Sequence, residues 1–192
     1  MKNILIATIL AVTLTIAVTV NVSYAQANPL IYTEVIEVPN ITKETLFQRA
    51  NIWAASAFKD AKTDIQINDK ESGQIIGKSY FKYNQEFFLG STRTSGFISL
   101  VFKIFIKEGK YKYEFSEFVH DASLSKGNRK DFGLITDNKE CTMEVGVLEV
   151  SIWYQKVWDD IKKQIEHEIM NNKVPNLKEA MTNKGTTNND NW

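Results

Sequence analysis

Residues 72–79 nearly match a phosphate-binding loop. They run SGQIIGKS, and a glycine in place of Ser72 would complete the pattern G-x-x-x-x-G-K-S, in which backbone amides and a lysine hold phosphates. Such a loop follows a buried strand and opens a helix, whose N-terminus attracts the anion. Here a polar turn, INDKES, precedes the segment and a strand-like run, YFKYN, follows it. We therefore predict a β-hairpin, with Gly73 in its turn and Gly77 at a bulge or a close contact.

Residues 123–126, SLSK, fit the S-x-x-K pattern of serine enzymes that transfer acyl groups. The S-D-N and K-T-G elements that accompany this pattern in those enzymes are absent from the sequence. A small hydrolase that uses Ser123 or His120 from the segment 120–147 stays the alternative hypothesis. It requires a base within hydrogen-bonding reach of the serine hydroxyl.

Cysteine and histidine are too scarce to build a zinc site of the usual kind. The chain has one cysteine, Cys141, and two histidines, His120 and His167. A single cysteine forms no internal disulfide, and we interpret it as a small buried side chain or a bystander. His167, in IEHEIM, lacks the second histidine four residues on that a zinc-binding helix needs. The sequence predicts no metal site, no cofactor and no catalytic residue.

The first 25 residues have the three parts of a secretory signal peptide. Lys2 precedes an apolar run from Ile4 to Val20, and the small residues Ser23 and Ala25 follow. The alternative is an uncleaved anchor, since the run has the length of a short membrane span. No basic cluster follows it, which favours cleavage after Ala25. We predict an exported protein of the periplasm or cell envelope, with no membrane span after cleavage.

Charge and size limit the function classes. The 192 residues include 23 lysines and arginines and 23 aspartates and glutamates, so the formal net charge is zero. Nucleic-acid-binding domains carry a basic patch and are usually strongly basic, so we predict no nucleic-acid partner. A hydrophobic content of 43% in a chain of this length suits one globular domain with its own core.

Hydrophobic periodicity predicts the order strand, helix, four strands, helix. The predicted strands are 31–39, 64–68, 74–83, 97–107 and 111–119; the helices are 40–62, with Thr42 as N-cap, and 148 to Pro175. One antiparallel sheet with both helices on one face buries both helical stripes. We predict an α+β domain over 26–172, an irregular insertion at 120–147 and a disordered polar tail at 173–192.

Three sequence segments and a Trp-containing final helix resemble a known family. The segments are EVIEVPNITKETLFQRANIWAASAFKDAK, IQINDKESGQIIGKSYF and FKIFIKEGKYKYEFSEF. Together they resemble an exported bacterial family of unknown function with a TBP-like fold, over about residues 31–170. The resemblance implies the arrangement β-α-β-β-β-β-α, a single half-saddle unit and an envelope location. It implies no catalytic residues, because none are established for the family.

The strand 97–107 has an apolar face formed by Ile98, Leu100, Phe102, Ile104 and Ile106. If that face meets the helices, the alternate residues and their neighbours form an open face. Its candidate binding residues are Lys78, Tyr80, Lys82, Phe97, Val101, Lys103, Phe105 and Lys107, with Ser99, Lys112, Glu114, Ser116 and Phe118 beside them.

Two interpretations of the aromatic rings on the open face are possible. They are either ordinary cross-strand pairs covered by lysine stems or a contact surface for another protein, a glycan or a second copy. The leading hypothesis is a non-enzymatic envelope module that binds an envelope protein, a glycan or itself through this face.

Overall fold

The computed structural model describes residues 28–57, 64–85, 93–125, 128–143 and 151–182. The predicted signal segment 1–25 lies outside these residues. The described strands form one antiparallel sheet in the order β1-β5-β4-β3-β2, and β6 pairs with β5 beyond the end of β1. They are β1 (Tyr32–Glu37), β2 (Asp64–Asp69), β3 (Gln74–Tyr83), β4 (Gly96–Lys107), β5 (Lys110–Asp121) and β6 (Gly133–Leu134). The predicted α+β fold is confirmed.

The helices are α1 (Lys43–Ala57), α2 (Ser151–Glu166), a π-helical segment (His167–Lys173) and α3 (Val174–Thr182). Thr42 caps α1 as predicted, because its hydroxyl accepts the Thr45 N–H at 3.3 Å. Since β1 and β2 are opposite edges of the sheet, α1 carries the chain from one edge to the other. Among the described residues, no helix is long and apolar enough to cross a bilayer.

Trp53 of α1 packs edge-on against Phe102 of β4, with ring centroids 5.8 Å apart. On the same side of the sheet, the Tyr83 hydroxyl of β3 donates to Asp160 of α2 at 2.7 Å. Both helices therefore cover one face of the sheet, and the core lies between them and that face. The face on the opposite side of the sheet is called the outer face below.

The predicted hairpin is confirmed: residues 70–73 form the turn between β2 and β3, and 74–79 begin β3. Gly73 has φ +71°, a conformation that side-chain-bearing residues rarely adopt. A Cβ on Gly77 would lie 2.5 Å from the Phe102 ring, so this glycine admits a close neighbour as predicted. The segment leads into β3 and opens no helix, so it lacks the geometry of a phosphate loop.

A bulge in β5 inverts the side-chain alternation partway along the strand. The β4–β5 register shifts between Ser99 and Val101, and Glu117 has φ +56°. The extra residue moves the residues after it to the other face. The prediction that Phe118 lies on the outer face is therefore wrong: Phe118 is buried in the core and its ring meets Tyr32 edge-on at 5.8 Å.

The segment 120–147, predicted to be an irregular insertion, contributes to the core within its described part. It contains β6, and Phe132 and Ile135 are buried with the core residues. The Trp158 indole of α2 donates to the Asn138 carbonyl at 3.1 Å, which ties the segment to the helix. Residues 144–147 lie outside the described part of the chain.

The prediction that Pro175 ends the last helix, and that 173–192 is a disordered tail, is wrong for residues 173–182. The Val174 N–H bonds to the Ile169 carbonyl, an i→i−5 bond of the π-helical segment. The backbone hydrogen bonds thus change from the i→i−4 to the i→i−5 pattern just before Pro175, which has no N–H to donate. The chain then continues as α3, whose Leu177 and Met181 are fully buried. Residues 183–192 lie outside the described chain.

We expect Leu177→Ala and Met181→Ala each to lower the free energy of unfolding by about 2–5 kcal/mol, because each truncation leaves a cavity under α3. Urea denaturation of the full chain measures this. Asn176→Ala, at an exposed position of the same helix, is the control and should change stability by less than about 0.5 kcal/mol. Equal effects of the three variants would show that α3 does not dock.

Candidate functional site

The side chains of β4 point to the two faces of the sheet as predicted. Ile98, Leu100, Phe102, Ile104 and Ile106 are buried beneath the helices. On the outer face Lys78, Lys82 and Lys107 are exposed, and Tyr80, Phe97, Lys103 and Phe105 are half-buried. The structure therefore brings seven of the eight predicted candidate residues onto one accessible surface.

Val101 is the eighth candidate, and its predicted availability for binding is wrong. It lies on the outer face between its ladder partners Lys78 and Ser116, but 6% of its surface is exposed. Ser116 is also buried. Val101 therefore packs within the outer layer of side chains and offers almost no surface to a partner.

Three rings of the outer face make contacts with neighbouring strands. The rings of Tyr80 and Phe97 meet edge-on with centroids 5.1 Å apart, and the Lys112 ammonium lies 5.8 Å from the centre of the Phe105 ring. Such pairs stabilise a sheet. The interpretation of these residues as cross-strand pairs therefore has support, yet Tyr80, Phe97 and Phe105 keep part of their surface in water.

The edge strands add apolar residues that the sequence analysis missed. Val35 of β1 is 60% exposed and Ile67 of β2 is 43% exposed. By register Val35 is the partner of Lys112, and Ile67 is the partner of Ile76, so both lie on the outer face. The alternation within β1 and β2 was visible in the sequence. Assigning it to a face required the strand order and register.

The carboxylate of Glu114 contacts two lysines on the outer face. Glu114 accepts a bond from Lys103 at 2.8 Å, and the Lys112 ammonium lies 3.7 Å from its other oxygen. The hydrogen bond from Lys103 is the main cause that lowers the pKa of Glu114, although partial burial opposes it. In the described part of the chain, Lys78, Lys82, Lys107 and Lys110 have no such carboxylate partner.

At one end of the outer face lies an open depression of about 440 Å³. Residues from three adjacent strands line it: Val35, Phe105, Lys107, Lys110, Tyr111 and Lys112. It combines an apolar floor with three ammonium groups, an arrangement suited to an anionic group that is attached to an apolar one.

His120 lies in the core and not in a cleft. Its Nδ1 accepts the Phe132 N–H at 3.1 Å, so its other nitrogen, Nε2, carries the proton and donates to the Thr94 carbonyl at 2.9 Å. Both nitrogens are thus committed to the backbone, and Tyr83 packs edge-on against the ring at 5.0 Å. Ser123 is exposed, and His120 is not placed to serve it as a base. The hydrolase hypothesis has no geometric support from these two residues.

The remaining chemically reactive side chains lie apart from one another. Cys141 is half-buried, its own N–H donates to Gln155, and burial raises the pKa of its thiol. His167 is exposed at the start of the π-helical segment. Within the described ranges, no three histidine, cysteine or acidic side chains come close enough to hold a metal ion.

We expect the fold to lose stability as pH falls from about 7.5 to 5.5 because of His120. Burial lowers the pKa of His120 in the fold, whereas in the unfolded chain it protonates near its ordinary pKa of about 6.5. Below that pH the unfolded state binds more protons, so the free energy of unfolding falls by at most about 1.4 kcal/mol per pH unit.

Urea denaturation at the two pH values measures this loss. His120→Gln should abolish it and His167→Gln, at an exposed position, should retain it. The carboxylates with lowered pKa, such as Glu114, lose their contributions at lower pH, below about 4.5. A pH dependence that His120→Gln leaves unchanged would contradict the assignment.

Comparison with known proteins supports the fold. Residues 32–121 match a family described as a domain of unknown function (DUF4468) with TBP-like fold. A crystal structure of a TBP-like protein from Parabacteroides distasonis ATCC 8503 aligns with a TM-score of 0.53 at 16% identity, covering 78% of this chain and 93% of that one. Among curated proteins, none matches this chain.

A second similar structure is that of a DUF4468 family protein from Bacteroides ovatus ATCC 8483. It aligns with a TM-score of 0.49 at 14% identity, covering 76% of this chain and 86% of that one. At such identities a likeness concerns the fold alone. The fold in turn does not identify a function, which has to be argued from the surface itself.

Proposed function

We propose that this chain, whose residues 32–121 match the family of a domain of unknown function (DUF4468) with TBP-like fold, is a non-catalytic module that binds a partner protein through its outer face. The observation that carries the proposal is the composition of that face. Half-buried rings, exposed aliphatic side chains and lysines without ion-pair partners share one surface that the described helices leave open.

A sheet face that serves solvation alone is mostly polar. Here the exposed side chains of Val35 and Ile67 stand on the two edge strands, with Tyr80, Phe97 and Phe105 between them. Apolar surface spread over four strands and surrounded by charged residues is typical of an interaction site. The Lys112 side chain that lies over Phe105 is long and unbranched, so a partner can displace it through a change of rotamer.

A protein partner fits this surface better than a glycan does. Aromatic sugar sites present ring faces, whereas Tyr80 and Phe97 pack edge to face against each other, and Lys112 lies over one face of Phe105. Side chains of another protein can pack between such rings and hydrogen-bond at the polar rim. A second copy of the chain is one form that this partner can take.

We also propose that the protein is located outside the inner membrane. The pattern of residues 1–25 supports export. We expect N-terminal sequencing of the protein purified from cells that express the full gene to begin at Gln26. A protein that retains Met1 and fractionates with the cytoplasm would contradict export and leave the binding surface unaffected.

Photo-crosslinking tests the binding face directly. We expect p-benzoylphenylalanine in place of Phe97 or Phe105, in the full chain expressed in the bacterium that encodes it, to form a covalent adduct after irradiation. Both residues are half-exposed rings, so the substitution preserves their chemistry. Mass spectrometry of the adduct identifies the partner, and twice the mass of the chain identifies self-association.

The matched control carries the same crosslinker at Ile152, which is 64% exposed on α2 at a distance from the outer face. We expect no specific adduct from this position. Absence of an adduct at both outer positions, or the same adducts from Ile152, would overturn the proposal. Phe105→Ser should leave the free energy of unfolding within about 1 kcal/mol of the parent, because the ring is not in the core.

A further inference from the structure

The hairpin of β4 and β5 carries two lysines that face each other beside its turn. Lys107 and Lys110 are ladder partners, and both are exposed on the outer face. Like charges directly opposite on a sheet are destabilising. Two acids lie nearby: Glu37, the ladder partner of Lys110 in β1, and Glu108 in the turn, whose carboxylate accepts the Lys43 N–H at 2.9 Å. Neither forms an ion pair with Lys107 or Lys110. The two ammonium groups therefore repel each other and attract an external anion.

The surface beside this lysine pair is apolar. Val35 is 60% exposed, and Phe105 lies next to it in the depression of about 440 Å³. Lys112 adds a third ammonium group above the Phe105 ring, at 5.8 Å from its centre. An anion bound between Lys107 and Lys110 would thus have a hydrophobic surface within the same depression.

The cationic region is short. In one direction along the strands, Glu114 neutralises Lys103 and approaches Lys112; toward the sheet edge, Glu37 stands beside Lys110. A nucleic acid or an anionic bilayer presents many charges, and its binding sites carry extended basic surfaces. The chain as a whole has a formal net charge of zero. This charge distribution fits one or two carboxylates next to an apolar side chain.

We propose that the depression binds an acidic, extended segment of a partner protein. A carboxylate of the segment lies between Lys107 and Lys110, and an apolar side chain nearby packs on Val35 and Phe105. The inference rests on the proposed function and deepens it, since it assigns the chemistry of the partner. A bound carboxylate offsets the repulsion between the two ammonium groups. The relief of this repulsion favours binding of the carboxylate.

Fluorescence anisotropy of the full chain with a defined peptide tests the inference. The probe is a fluorescein-labelled heptapeptide in which glutamate alternates with valine and phenylalanine. We expect saturable binding that weakens between 50 and 300 mM NaCl, because exposed ion pairs are screened by salt. Lys107→Gln/Lys110→Gln should weaken binding at least about tenfold, without lowering the melting temperature of the free protein.

Lys139→Gln/Lys156→Gln removes the same total charge at two exposed positions that line a different depression, beside α2, and should leave affinity within about twofold. A heptapeptide with lysine in place of each glutamate should not bind. Absence of binding, or equal losses in the two double variants, would overturn the inference. Binding to vesicles containing phosphatidylserine without binding to the acidic peptide would overturn it as well.

The two proposals fail differently. If the acidic peptide does not bind but crosslinks from Phe97 persist, the outer face remains a protein-binding face and its assignment to acidic segments is wrong. If the crosslinks from both Phe97 and Phe105 are absent, the proposed function itself is wrong, and the inference that rests on it falls with it.

Discussion

The burial of alternate residues of β4 beneath α1 and α2 determines where the other side chains of the sheet point. Phe102 is the centre of this contact, since it meets Trp53 of α1 and approaches the backbone of Gly77 so closely that a side chain there would collide with it. β4 pairs with β3 and β5 on its two sides. The orientation of its side chains therefore determines which residues of both neighbours point to each face of the sheet. The outer face, with its rings and lysines, is a geometric consequence of this packing.

The bulge at Glu117 reverses the alternation of side chains within β5 and divides this strand into two parts. Before the bulge, Glu114 lies on the outer face and pairs with Lys103. After it, Phe118 and His120 turn toward the helices, and His120 is held by two backbone hydrogen bonds. One additional residue therefore lets β5 supply both an ion pair to the outer face and a buried imidazole to the core.

Polar contacts attach the C-terminal part of the chain to the rest of the domain. The Arg49 guanidinium donates to the Met181 carbonyl at 2.6 Å, and the Lys173 ammonium donates to the Ala57 carbonyl at 2.8 Å. Lys178 also pairs with Glu34 of β1 at 2.8 Å. The bonds from Arg49 and Lys173 go to carbonyls in the last described turns of α3 and α1, where basic side chains commonly bond backbone carbonyls. They hold α3 against α1 on the helical side, so the described C-terminal residues leave the outer face open.

Local patterns in the sequence determined the strands β1 to β5, the hairpin at Gly73, the cap at Thr42 and the inward face of β4, because each depends on neighbouring residues and a fixed period. They also indicated Tyr80, Phe97 and Phe105 as outward rings. Tertiary structure alone decided the rest. The bulge that buries Phe118, the docking of Leu177 and Met181 after Pro175, and the meeting of Val35 with Lys107 and Lys110 all depend on strand register and on contacts between distant segments. Such contacts leave no periodic signal in a single chain, since their energy arises only when the segments pack together.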